Sequence, residues 1–476
     1  MDILIGDRLI KSQSVNGVWV AVSSYNGTNY AESDTSELVA VRDLLTKLID
    51  LSDGVSTDPN PSPNAQAIVP VPTMPAVPTT AVTLKVPTDY STIEAAFNAA
   101  SPDTTILVES SYTGETDVTL NSKATTAQTP IVIRGENGLT HVPTNDATGS
   151  GFYVACPHVY LVDLDIDGQH QNDGSRLLNI QESDCFVLDC TIRDTKGHLI
   201  YTVAAAHNLH VQGCHIHTID INQTTRDGIY IHAGTTNAKI IDNLIEDIGH
   251  VGINVRPSAN HHLASHNIVR NCKSHGTQGG NCSWLHNRVY FEAGNAWTDD
   301  GYDSNCLYVS GEGELVCIGN TYGPSQNNCI YIDGSPGTGM GGDYTIAFNS
   351  LYYSDQDGSG TDGCLRLYDI DESITMHVYA NCVQDSSNNL YLQGTTSGLT
   401  LNRDYNCFGG GGTVDGTLGD NSASSSETIF TDATNYNFKP NAPLPFSGLI
   451  NGQPPEFYEP EYGNINTLVA GSYQTQ

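Results

Sequence analysis

From about Ala155 to Gly410, apolar and polar positions recur in phase. Short segments open on Asn or Cys, continue through a polar or β-branched residue, and reach Ile, Val or Leu. The opening residues are Leu164, Cys190, Cys214, Asn243, Asn267, Asn287, Asn320, Asn349, Asn381 and Asn406, with gaps of 26, 24, 29, 24, 20, 33, 29, 32 and 25. Two places on stand Ile166, Ile192, Ile216, Ile245, Val269, Val289, Tyr322, Leu351, Val383 and Phe408. A second column runs further round each repeat. It includes Gly228 to Ile231, Gly252 to Val255, Cys306 to Val309, Cys329 to Ile332, Cys364 to Leu367 and Asn389 to Leu392. Each is a short strand whose outer apolar residues face in and whose middle residue faces out.

A period of 20 to 33 residues carrying two or three short alternating strands predicts a solenoid. Asparagine suits the repeated position, since it tolerates the left-handed region and its amide can bond the next coil. No helical pattern lies between the strands, so the fold class is all-β, a right-handed parallel β-helix. A β-sandwich does not explain two columns in phase.

Before the solenoid, residues 1–30 alternate like strands, with a turn signal at Tyr25 to Thr28. A helix from Asp34 to Gly54 is expected, with Glu37 completing a capping box. Leu38, Val41, Leu45 and Leu48 make a short heptad seam, read equally as a helix packed on the small sheet or a trimeric coiled coil. Residues 59–84 hold seven prolines and no charge up to Leu84, the composition of an extended linker. The expected division is a head at 1–54, a linker at 55–84, a β-helix with a capping helix at 85–420, and a closing segment and tail at 421–476.

At Val86 to Ala96 the sequence resembles the pectate-lyase-like β-helix superfamily. Its members often open with an aromatic residue, Thr-Ile and an Ala-rich helix, then Asp-Thr-Ile-x-Val, which stands here as Asp103 to Val108. Pro130 to Gly135 looks like an early coil, and Phe438 to Leu444 is similar to the closing segment. The resemblance implies the fold and leaves the chemistry open, because the superfamily holds lyases, hydrolases, epimerases, tailspikes and adhesins. The order of head, linker and β-helix resembles phage tailspikes and fibres. That resemblance implies a homotrimer attached to other virion proteins through residues 1–54.

Acids outnumber bases 53 to 19, giving a net charge of −34. This excludes non-specific nucleic-acid binding and anionic membranes, and disfavours a strongly anionic polysaccharide unless a local basic patch or cations screen it. All twelve cysteines lie between Cys156 and Cys407. Their placement on the columns reads as buried stacking residues, reduced in the cytosol. The opening residues show no signal peptide, and no long apolar span is present, so synthesis in the cytoplasm is expected. Location on the virion, with the cytoplasm being the host's, is what the tailspike resemblance implies.

Candidate chemistry lies on outward positions. One row reads Arg193, His217, Glu246, Arg270 and Tyr290, with His215 and Arg288 beside it. His217, Glu246, Arg270 and Tyr290 combine base, acid, cation and phenol, the groups that a polysaccharide lyase needs. A plain surface charge ladder is the competing reading. The loop after Tyr290 carries Trp297, Asp299 and Asp300, a sugar-stacking ring with the paired carboxylates of glycoside hydrolysis. The same acids could bind Ca²⁺, although their spacing is not that of an EF-hand, and a plain acidic solvent loop is the competing reading; no other cofactor is expected. A second outward line, Tyr230, Asn254, Tyr308, Tyr331, Arg366 and Tyr391, suits a sugar platform, a subunit interface, or simply strand propensity. Asp242, His266 and His286 share the place before the ladder and read either as a metal or proton-transfer site or as a hydrogen-bonded turn stack. The functional expectation is a glycan-binding spike that holds or depolymerises host polysaccharide. A structural or decoration fibre and a bacterial polysaccharide lyase are the alternatives.

Overall fold

The computed structural model describes residues 71–416 apart from short segments between strands, and outside that range only strand segments within 2–23 and 423–464. The expected helix from Asp34 to Gly54, and Trp297, Asp299 and Asp300, lie outside the described residues. Two compact units divide at residues 67 and 68. In the first, strands Asp2–Ile5, Arg8–Val15 and Val18–Ser23 form an antiparallel sheet.

The second unit is a parallel β-helix of three sheets, with 12, 13 and 13 strands. The chain visits them in turn. Phe186–Leu188 lies on the third sheet, Thr191–Thr195 on the ladder sheet and His198–Thr202 on the tyrosine sheet, and the next coil starts again at His210–Gln212. All inter-coil pairing is parallel, as at Ile192 beside Ile216 and Ile216 beside Ile245. The inward column from Ile166 to Val289 is fully buried and lines the core. Placing every second residue inward removes about 2 kcal/mol of apolar side chain per position from water, which holds each short strand to its coil.

The asparagines form a continuous internal ladder. Asn287 Nδ2 donates to Asn320 Oδ1 at 3.1 Å and to the carbonyl of Ala264, one coil back, at 2.8 Å. Its own Oδ1 accepts from Asn267 N and Nδ2 at 3.0 and 2.9 Å. The same set of bonds recurs at Asn267, Asn320, Asn349 and Asn381, and Asn243 makes the same two side-chain donations while its Oδ1 accepts from Cys214 N at 2.9 Å. Every corner amide is thus satisfied without water, the condition for burying it. Cys190 and Cys214 stand in for asparagine in earlier coils. Their thiols donate to Leu161 O and Val187 O, carbonyls in register with Ala264 O. All twelve cysteines are free and buried.

The residue just before the ladder takes a left-handed conformation in coil after coil: Asp189 (φ 51), Asp242 (φ 53), His266 (φ 58) and His286 (φ 54). Asp242, His266 and His286 are therefore corner residues, and the turn-stack reading accounts for their alignment. At Gly319, with φ 69, an added Cβ would also meet His286 Nδ1 at 2.4 Å.

The helix Ile93–Ala99 covers the open end of the core, burying Ile93, Ala96 and Phe97. Thr92 Oγ1 caps it by accepting from Ala95 N at 3.1 Å. Residues 71–80, expected as linker, lie along the third sheet. Met74 and Val77 pack on Val132, Tyr160, Val162 and Leu188, and Pro72 O accepts from Gln212 Nε2 at 2.7 Å. An outward apolar patch on that sheet explains the contact, since covering it removes Met and Val from water as well.

Candidate functional site

The ladder sheet aligns the charged row on consecutive coils. Arg193 pairs with His217, His217 with Glu246, Glu246 with Arg270, and Arg270 with Tyr290. Adjacent groups are thus spaced by the strand separation, about 4.8 Å. Two ion clusters result. Arg193 holds Asp165 with Nε at 2.8 Å and Asp167 with Nη2 at 3.0 Å, and His141 reaches Asp167 at 3.2 Å. Further along, Glu246 Oε1 meets His215 Nε2 at 2.8 Å while its Oε2 is gripped by Arg270. Arg270 Nη1 also donates to Glu292 at 3.1 Å and reaches Tyr290 OH at 3.5 Å.

This wiring decides what the row can do. Burial alone would raise the Glu246 carboxyl, but hydrogen bonds from His215 and Arg270 pull it below the usual carboxylate range. A carboxylate with both oxygens engaged is a poor proton donor at neutral pH. Arg270 is pushed further toward the charged form by Glu246 and Tyr290, against the effect of burial. Burial, then the neighbouring His215, brings His217 down to about 4, so it is a neutral imidazole at physiological pH. His217 shares a hydrogen bond between its Nδ1 and Thr218 Oγ1 at 2.8 Å, and His215 stacks on it at 4.1 Å. Tyr290, expected in the open, is only 6 % exposed. It sits under the Arg288 guanidinium, 5.0 Å from its ring, with Arg270 beside its hydroxyl.

The second outward line is longer than the sequence reading made it. Tyr153, Asn179, Tyr201, Tyr230, Asn254, Gln278, Tyr308, Tyr331, Arg366 and Tyr391 follow one another in register along the tyrosine sheet. Toward its far end Tyr308 and Tyr331 meet at 5.4 Å, and Arg366 lies 4.8 Å over Tyr331 and 5.8 Å from Tyr368. Tyr308 OH donates to Asp333 at 2.9 Å, and Arg366 is braced on Gln393 Oε1 at 3.0 Å. Half-buried rings held by a sheet lose little freedom on meeting a flat ligand.

Sequence reasoning missed two features of this sheet. One is a second, shorter asparagine ladder at its entry, where Asn328 N and Nδ2 both donate to Asn305 Oδ1 and Gly363 N donates to Asn328 Oδ1. Asn before Cys306 and before Cys329 was its visible signal. The other is a buried carboxylate, Asp227, which gathers His250 and Asn254 around itself. Asn254, expected to face out, is 2 % exposed because it lies beneath that carboxylate. Nothing in the neighbouring residues announces the enclosure, which depends on contacts 23 and 27 residues away.

Three stacked parallel sheets with an internal corner ladder and outward polar rows define a right-handed parallel β-helix. The family described as right handed beta helix region matches residues 131–296, within the solenoid. No curated protein matches the sequence. Among solved structures the chain is similar to the PL6 family alginate lyase AlyGC, with TM-score 0.47 and 11% identity over 76% of this chain and 55% of that one. It is similar to pectate lyase Pel9A, with TM-score 0.35 and 12% identity over 73% and 78% of the two chains. The Dettilon tailspike protein (gp208) is similar at TM-score 0.34 and 12% identity over 72% and 68%. The chain spans little more than half the length of the alginate lyase.

Proposed function

We propose that this chain is a glycan-binding β-helical spike, carried on a virion through residues 1–54 and assembled as a homotrimer. The observation that supports glycan binding is the run of Tyr308, Tyr331 and Arg366 on successive coils, with Tyr368 and Asp333 beside it. Sugars present alternating apolar ring faces and hydroxyls, and this surface alternates phenol faces with fixed donors and acceptors at the coil spacing. A rigid sheet keeps those separations constant, so binding orders few side chains. The charged row supports holding rather than cutting. Glu246 is tied on both oxygens and so is not poised as a general acid, and His217, neutral but lowered to about 4 by burial, is a weak general base.

The test uses purified full-length protein and host surface polysaccharide. Binding is measured for the parent, Tyr331→Ala and Arg366→Ala, while chain length and the ultraviolet absorbance of unsaturated ends are followed over time. Binding without shortening, weakened roughly tenfold by either substitution, about 1.4 kcal/mol, is the expected result. Shortening of the polysaccharide would make the protein a depolymerase. Equal binding by all three proteins would remove the tyrosine sheet from the site.

A further inference from the structure

In a chain of net charge −34 with 19 lysines and arginines, cations that gather in one place call for an explanation. They gather on the tyrosine sheet, several coils before the Tyr308 platform. The Arg176 guanidinium lies 3.8 Å over the Tyr201 ring, and Tyr201 stacks on Tyr230 at 4.9 Å with 4° between the planes. His198 packs against both rings at 5.3 and 5.2 Å. Arg226 and Arg176 both bear on His198, and Arg256 and Arg176 both bear on the Tyr230 phenol, so the three guanidiniums share one neighbourhood.

The carboxylate at this place is already committed. Asp227 is 1 % exposed and faces His250 Nδ1 at 2.7 Å, Asn254 Nδ2 at 3.0 Å and Val251 N at 3.3 Å. His198 Nδ1 accepts from Asp227 N at 3.0 Å, so that nitrogen carries no proton and the ring is neutral. Two enclosed atoms have no partner: Arg226 Nε, a donor on a cation, and Asn254 Oδ1, an acceptor. Burying either group unsatisfied is unfavourable. The guanidiniums call for an anionic group and the stacked phenols for a ring with an apolar face, so the ligand that uses both is a ring bearing an acid group.

We propose that Arg176, Arg226, Arg256, the Tyr201–Tyr230 pair and the Asp227–His250 pair form a subsite for an acidic sugar within the bound glycan. The arginines take its carboxylate or sulfate, and the phenols take the ring. His250, with Nδ1 held by Asp227 and its side chain 29 % exposed, turns Nε2 toward a sugar hydroxyl. The subsite rests on the glycan-binding reading above and adds the charge class of the ligand. It also explains how so acidic a protein could hold an acidic polymer, since the local cations act at contact distance while the distant acids are screened beyond about 8 Å at physiological salt.

Three hexasaccharide-length probes test this on the full chain: an oligogalacturonate, a sulfated dextran oligomer and a neutral dextran oligomer. Arg256→Gln and Arg226→Gln are compared with parent, with Tyr331→Ala reading the separate platform, whose loss should weaken charged and neutral probes alike, and circular dichroism as the fold check. Arg256 is exposed, so its substitution stays informative if Arg226→Gln does not fold. At least one charged probe should bind the parent more tightly than the neutral one, lose tenfold or more in Arg256→Gln, and weaken as salt rises. Preference for the uronate over the sulfated oligomer identifies carboxylate as the group taken, and the reverse identifies sulfate. Charged probes bound no better than neutral dextran, or bound equally by parent and Arg256→Gln, would overturn the subsite. In that case neutral binding that still depends on Tyr331 leaves the broader glycan reading standing, and no binding of any probe removes both.

Discussion

Replacing Asn287 by alanine should break the internal ladder at its middle. The side chain makes four hydrogen bonds: two accepted from Asn267 and one donated to each of Ala264 O and Asn320 Oδ1. Asn287 is fully buried, so no water replaces them. At about 1 kcal/mol net each these sum to ~4 kcal/mol, and the Asn267 backbone N–H left without its acceptor adds ~1–3 kcal/mol. A loss of order 5 kcal/mol compares with a total stability of ~5–15 kcal/mol for a typical domain. Asn287→Cys should lose roughly half as much, because a thiol can still donate to Ala264 O as Cys214 does to Val187 O at 3.4 Å. Asn287→Asp keeps the acceptor but loses both donations and buries charge facing Asn320 Oδ1, so it should be the most harmful of the three. Urea unfolding followed by far-ultraviolet circular dichroism ranks them. An Asn287→Ala protein within ~1 kcal/mol of the parent would mean that the sheets alone hold the coils and the ladder is incidental.

The other expectations concern thiols, protons and the proline-rich strap. The twelve buried cysteines should resist a thiol reagent in the native protein and label fully in urea, because burial pushes Cys185 and Cys317 up to about 12 and Cys407 to about 11; rapid native labelling of several would refute this packing. Burial lowers His198, His217 and His262 to about 4 and His286 to about 3, from 6.5. The unfolded chain therefore binds protons that the folded one refuses, so stability is complete above about pH 6.5 and declines as pH falls toward 4. A urea midpoint unchanged between pH 7 and 4.5 would contradict it, and Glu246, already lowered, should add to the loss only in the carboxylate range. A chain lacking residues 1–80 should unfold ~1–3 kcal/mol more easily than one lacking 1–67, because it uncovers the patch under Met74 and Val77; identical midpoints would show that the strap contributes nothing.

The coil register was legible because the inward apolar column and the ladder position recur together. Once Ile192, Ile216, Ile245 and Val269 are taken as one inward row, Arg193, His217, Glu246 and Arg270 must share an outward one, and they do. What that row is wired to was not legible. His215 belongs to the neighbouring outward position, yet its ring reaches diagonally to Glu246 and occupies one of its carboxylate oxygens. The burial of Tyr290 and the enclosure of Asp227 fail for the same reason, since a side chain's surroundings are set by neighbouring coils rather than by alternation. The strap was read as linker from composition alone. Proline fixes an extended backbone, but whether that backbone stays in solvent is decided by the patch it meets, and Tyr160 and Phe186, stacked at 4.2 Å, lie 86 and 112 residues beyond Met74.

Successive ladder partners are separated by as few as 20 and as many as 33 residues, yet the amide-to-amide distances across those two steps are 2.9 and 3.1 Å. The corner therefore acts as a fixed clip to which excursions of unequal length return. Lengthening an excursion by a dozen residues changes only the entropy of closing it, a slow logarithmic function of length. Loop content and frame are thereby uncoupled. A segment between two clips can be exchanged for one of different length and chemistry without moving the coils on either side, so the outer surface of such a molecule can diverge quickly while its frame stays the same.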